Sequence, residues 1–185
     1  MSSVTINGDT SGGISLTVPA VAGTNTATLP AATGTVMVSG AMPAFSAYQT
    51  STQTPSSGVF TKVQFQNKSN AGLSWDTNNC YDNETNYRFT PTVAGYYQIN
   101  ACVNFSSTNG ISIVAIYRNG TEYKRSQQFN ILLAIGGNAY GNNVSGLVYF
   151  NGTTDYAEIY VYMGSGVATT ASNLTYFDGC MVRAA

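Results

Sequence analysis

The chain of 185 residues contains no histidine. That removes the commonest general base and the usual catalytic-zinc ligand, and it excludes Ser-His-Asp and Cys-His machinery. Charge is scarce as well: 8% of residues are Asp, Glu, Lys or Arg, against about 25% in an ordinary soluble domain. With a net charge of −1 and no basic cluster, there is no electrostatic basis for nucleic-acid binding. No run approaches the roughly 20 apolar residues of a membrane helix, so membrane insertion is not expected. The start, Met1-Ser2-Ser3-Val4-Thr5, lacks the basic and apolar regions of a signal peptide. The three cysteines, Cys80, Cys102 and Cys180, form an odd set without metal-ligand spacing, which argues against a disulfide scaffold. Cys102 and Cys180 fall in strand-like runs and read as small buried thiols; Cys80 lies in a polar loop.

What the chain does contain is Thr, Tyr, Val and Gly, the residues of pleated, half-buried surfaces and of turns. Residues 87–90 and 97–105 alternate at period two around Pro91-Thr92-Val93-Ala94-Gly95. Each run is a strand with one buried face, and the chain turns between Pro91, which lacks a ladder donor, and Gly95. Further strand signals cover 59–66, 111–118, 122–125, 144–150, 156–163 and 174–182. Asn109-Gly110, Asn119-Gly120 and Asn151-Gly152 are turn dipeptides between them. No window shows sustained helical periodicity. Short strands at this spacing predict an all-β sandwich or jelly roll.

The first forty residues differ, with no aromatic and a single charge, Asp9. Thr17-Val18-Pro19-Ala20-Val21-Ala22-Gly23-Thr24 recurs as Thr28-Leu29-Pro30-Ala31-Ala32-Thr33-Gly34-Thr35, each unit a strand stub and a small-residue turn. Two such units cannot bury a core by themselves, and threefold association would supply the missing neighbours. Residues 1–42 are therefore expected to form a short β-rich trimeric stalk, with Leu16, Val18, Leu29 and Val36 as its association residues. The head is expected over 43–185. The stretch from Leu16 to Thr35 also resembles an N-terminal element of bacteriophage fibre and tail-associated proteins.

The head resembles the complement component 1q globular domain, a jelly roll shared with tumour necrosis factor and many phage fibres. The resemblance rests on Phe45-Ser46-Ala47, Phe60-Thr61-Lys62-Val63, Arg88-Phe89-Thr90-Pro91 with Gly95-Tyr96-Tyr97, and Ile116-Tyr117-Arg118-Asn119-Gly120. It continues through Ser145-Gly146-Leu147-Val148, Asp155-Tyr156-Ala157-Glu158-Ile159-Tyr160-Val161 and the closing Tyr176-Phe177-Asp178-Gly179-Cys180-Met181-Val182. Thr154-Asp155 departs from the family's Gly-Asp, and no collagen-like Gly-X-Y tract precedes the head. The resemblance implies a homotrimeric virion fibre protein of a tailed phage. Its head would attach to host-surface glycan or protein, and its N-terminal segment would bind other virion proteins. The alternatives are a capsid head fibre or tail-fibre component without its own receptor, and a secreted complement component 1q-like ligand, which the missing signal peptide and collagen tract disfavour.

Aromatics in the alternating strands (Phe65, Phe89, Tyr97, Phe105, Phe150, Tyr160, Phe177) read as core or subunit interface. Trp75, Tyr81 and Tyr140 lie in Asn/Gly-rich loops and, with Asn138 and Asn142, are the candidate receptor-binding residues. Tyr and Trp beside Asn give rigid contact area with adaptable hydrogen bonding. Asp76, Asp82 and Glu84 are the one acid cluster. As oxygen ligands they suit Ca2+, though without EF-hand spacing, and no other cofactor is expected. A glycosidase would need two opposed carboxylates, whereas Asx-type turns explain this cluster more simply. No enzymatic activity is expected.

Overall fold

The computed structural model describes residues 3–21, 23–28, 31, 33–34, 36–69, 72–105, 110–131, 140–164, 169 and 173–185. They divide into two units, Met1–Gly34 and Thr35–Ala185. The division precedes the expected boundary at 42/43 because the intervening segment is tied to the second unit. Met42 packs on that unit's core, Pro43 O accepts from the Met181 amide at 3.0 Å, and Gly40 O accepts from Asn78 Nδ2 at 3.3 Å.

In the first unit, β1 (Ser3–Asn7) and β2 (Gly13–Thr17) form an antiparallel hairpin. Its turn is closed by Gly8 N–H to Gly12 O at 2.9 Å. The register pairs Val4 with Leu16 and Ile6 with Ile14 on one face, and Thr5 with Ser15 on the other. Among the described residues, the strands thus precede the eleven-residue repeat instead of lying within it, and only Thr17 of the repeat is in a strand. Pro19 cannot donate to a ladder, and the Ala, Gly and Thr around it have little to bury. Leu29 and Pro30 lie outside the described residues.

The second unit is all-β, as expected. Its strands are β3 (Ala44–Tyr48), β4 (Thr61–Lys62), β5 (Trp75–Asp76), β6 (Tyr81–Asp82), β7 (Arg88–Phe89) and β8 (Gly95–Phe105). They continue with β9 (Gly110–Arg118), β10 (Thr121–Arg125), β11 (Phe129–Ile131), β12 (Tyr140–Phe150), β13 (Ala157–Met163) and β14 (Tyr176–Ala184). Among the described residues, one sheet runs β12-β8-β14-β3-β5. The other runs β10-β9-β13-β7-β6, with β11 on β9 and β4 on β13. Every pairing of these strands is antiparallel, and the chain crosses between sheets after β3, β4, β5, β7, β8, β11, β12 and β13. This is a jelly-roll sandwich.

The period-two pattern turns the large aromatics inward. Phe45 stacks on Phe89 with ring centroids 4.3 Å apart and on Tyr81 at 5.1 Å, and meets Phe177 edge-on at 4.8 Å. Phe65, Phe105, Phe150, Ile99, Ile116 and Ile159 complete this core, all fully buried. Each such side chain contributes about 1.5–3 kcal/mol by burial. Asn119 and Gly120, both at positive φ, make the predicted tight hairpin between β9 and β10. Asn151-Gly152 instead starts a wider turn between sheets, in which Asn151 Oδ1 accepts from the Thr153, Thr154 and Asp155 amides at 3.0 Å each. The strand expected over 59–66 is regular only at Thr61–Lys62, yet Val63 and Phe65 keep the inward phase beyond it.

Candidate functional site

Three surfaces of the second unit carry chemistry. The first grows from the polar loop between β5 and β7. Lys68 Nζ donates to Asn79 Oδ1 at 2.7 Å and to Tyr81 O at 2.5 Å, and pairs with Asp76 at 3.3 Å. Asp76 in turn accepts from the Cys80 and Tyr81 amides at 3.0 and 2.9 Å. Asp82 closes the next turn: its oxygens take the Glu84, Thr85 and Asn86 amides and Asn86 Nδ2 at 2.8–3.1 Å. Burial would raise the Asp82 pKa, but these donors outweigh it and hold the carboxyl at about 2. Asn83 Nδ2 anchors the loop to Gln66 O at 2.7 Å. The result is an open cleft of about 650 Å3 bounded by Lys68, Asn79, Asp82, Asn83, Glu84 and Arg88. Arg88, on β7, lies over the Tyr156 ring at 4.4 Å.

The second surface is the outward face of the β12-β8-β14-β3-β5 sheet. At one end Tyr96 and Tyr149 pack with centroids 5.4 Å apart, beside exposed Leu147 and Val182. In the middle, Asn100 Oδ1 accepts from Gln98 Nε2 at 3.0 Å and Ser145 Oγ at 2.8 Å, and Asn100 Nδ2 donates to Asp178 at 2.9 Å. Burial pushes the Asp178 carboxyl above its usual range, a shift the Asn100 bond only partly offsets. At the other end Leu73 and Trp75 rim a groove of about 340 Å3 floored by Asn100 and Asp178. The third surface is the outward face of the other sheet, where Tyr117 stacks on Tyr160 at 4.1 Å and Phe60 touches Tyr117 and Tyr162. Burial, reinforced by Glu158, pushes the Tyr160 pKa up to about 12.

The structure separates the residues nominated from sequence. Trp75 is 45% exposed on the edge strand β5, whereas half-buried Tyr140 begins β12 at the opposite edge of the same sheet. Tyr81 is corrected from receptor contact to core: it is 1% exposed, and its hydroxyl donates to Phe65 O at 3.1 Å. Asn142 is likewise corrected. The strand β12 starts at Tyr140, earlier than expected, and its alternation turns Asn142 inward to donate to Ser112 O at 3.1 Å. Asn138 lies outside the described residues. The proposed calcium ligands do not converge: Asp76 and Asp82 are engaged by their own loop's N–H groups, and Glu84 points to solvent. Among the described residues, no three His, Cys, Asp or Glu side chains are placed to share a metal ion. Arg88 and Lys68 were missed. Arg88 stood inside the 87–105 motif, where alternation marks it as outward but gives no hint of the cleft.

No protein-family profile and no curated protein matches this chain. Among solved structures, murine APRIL at pH 8.0 superposes with a TM-score of 0.57 at 10% identity, over 76% of this chain and 99% of that one. The globular domain of zebrafish complement 1qA protein gives a TM-score of 0.54 at 17% identity, over 77% of this chain and 98% of that one. At such identities the likeness is one of fold: the second unit is a jelly roll of the complement component 1q and tumour necrosis factor type.

Proposed function

We propose that this chain is a homotrimeric virion fibre protein of a tailed bacteriophage, with a jelly-roll head that attaches to host-surface glycan or protein. The observation that carries the reading is the N-terminal hairpin. Val4, Ile6, Ile14 and Leu16 line one face and are 60–71% exposed. An isolated two-stranded hairpin is marginal in water, so a face of this kind calls for neighbours. Three copies would wrap these four side chains around a common axis, and the stalk-like repeat follows directly in sequence. The head supports the same assembly. An apolar end (Tyr96, Leu147, Tyr149, Val182) beside a hydrogen-bonded polar centre has the make-up of a subunit interface. The tyrosine-rich face and the cleft on the other sheet then remain for the host.

The test is native mass measurement of the full chain together with peptide detection in purified particles. The expected result is three times the 19.5 kDa chain mass and recovery from the particle. A monomer, or absence from every virion fraction, overturns the reading. Particle recovery with unchanged host adsorption after deletion would leave a decorating fibre without a receptor.

A further inference from the structure

We infer that the cleft between Lys68 and Arg88 binds a sugar carrying a single carboxylate, of the uronic or nonulosonic acid type, with the Arg88 guanidinium as the carboxylate fork. The inference rests on the proposed adhesive role of the head and names its ligand class. The volume, about 650 Å3, lies within the roughly 300–1,000 Å3 usual for small-ligand sites.

The charges decide the ligand. Four charged side chains border the cleft, Lys68, Arg88, Asp82 and Glu84. Lys68 is engaged by Asn79, Tyr81 O and Asp76. Asp82 stands directly opposite Arg88 in the β6–β7 register and is the obvious candidate to neutralise it. Its oxygens, however, are turned to the amides of residues 84–86. Arg88 is left with the Tyr156 ring as its contact and no hydrogen-bond or ion-pair partner among the described residues. The ring contact at 4.4 Å holds the guanidinium in place, and its unpartnered N–H groups can receive a carboxylate through two parallel bonds.

A polyanion such as a sulfated glycan or nucleic acid would need several free cations. Among the described residues the cleft offers one, with exposed Glu84 on the same rim. One carboxylate surrounded by hydroxyls fits instead, because Asn79, Asn83 and Thr90 supply neutral polar groups along the walls. Tyr87, next to Arg88, is held at φ 50°, a conformation costly for an aromatic residue. Such strain tends to accumulate where a neighbour must be aimed.

The experiment is calorimetric titration of the full-length protein with glucuronic acid and N-acetylneuraminic acid, each against its methyl ester, and with glucose. Binding of at least one acid, weakened tenfold or more by esterification, is expected. Arg88→Gln should remove that preference and Arg88→Lys should restore part of it. Should Arg88→Gln fail to fold, the acid-against-ester comparison on the unaltered protein still decides. Equal affinity for acid and ester, or none for either acid, overturns the inference. Host-cell binding by the same protein separates the two proposals: cells bound without competition from either acid would defeat this site and leave adhesion standing.

Discussion

Asp82 shows how one side chain holds a wall of the cleft. Its carboxylate gathers three backbone N–H groups and one side-chain amide, so its pKa falls from the ordinary 3.8 to about 2. A carboxyl depressed in the folded state stabilises the fold above its unfolded pKa, and that contribution is lost as pH falls through the folded value. Asp82→Asn keeps the shape but puts an NH2 donor against donors. It should destabilise the second unit by about 1–3 kcal/mol at pH 7. The difference should shrink as pH is lowered from about 4 to about 2. Urea unfolding of the two proteins across this range checks it; a pH-independent difference would mean the ionised carboxylate is not what organises the loop. Asp155 follows the same logic. Burial would raise its pKa, but Arg118, Asn119 and the Asn151 amide hold it low.

At the scale of elements, the motif over 87–105 supplies the scaffold. Phe89 on β7 meets Phe45 at 4.3 Å, Tyr97 at 5.6 Å and Phe150 at 6.0 Å, joining both sheets through one ring. Phe89→Ala should cost about 3–5 kcal/mol. Exposed Phe129 on β11 is the control, and its alanine variant should stay within about 0.5 kcal/mol of the parent. Guanidinium unfolding of both variants gives the comparison. The long strands were legible because each carries its own alternation: the runs read over 97–105, 111–118 and 156–163 fall inside or nearly on β8, β9 and β13. The two-residue strands β5 and β6 were not. Their pairing comes from β3 and β7, and a polar run such as Trp75-Asp76-Thr77-Asn78-Asn79 does not announce a partner elsewhere in the chain. Tyr81 was misread for the same reason, since its inward phase depends on Asp76 drawing in two amides. The cleft was illegible as a unit. Lys68, Asn79 and Arg88 converge only after β6 has paired with β7 and the loop has closed on Asp82.

For the whole molecule, the scarcity of charge sets the physics of assembly. With 8% charged residues and a net charge of −1, neither long-range attraction nor repulsion governs how copies meet. In the proposed trimer the apolar hairpin face and the head's Tyr96–Tyr149 end would both associate by burial. Association that favours the folded state makes the melting temperature rise with protein concentration. A hundredfold increase should therefore raise it by several degrees. Raising the salt from 0.05 to about 0.5 M should change little, because screening acts on exposed charges. Replacing Ile6 and Ile14 together by Asp places two carboxylates in a directly opposed cross-strand pair. In a threefold bundle they would meet four more from the neighbours. Sedimentation should then show a smaller species, and limited proteolysis should cut before residue 35 while the head's near-ultraviolet aromatic signal persists. A melting temperature independent of concentration, with the double variant sedimenting like the parent, would mean that the hairpin face is covered by something other than a second copy of this chain.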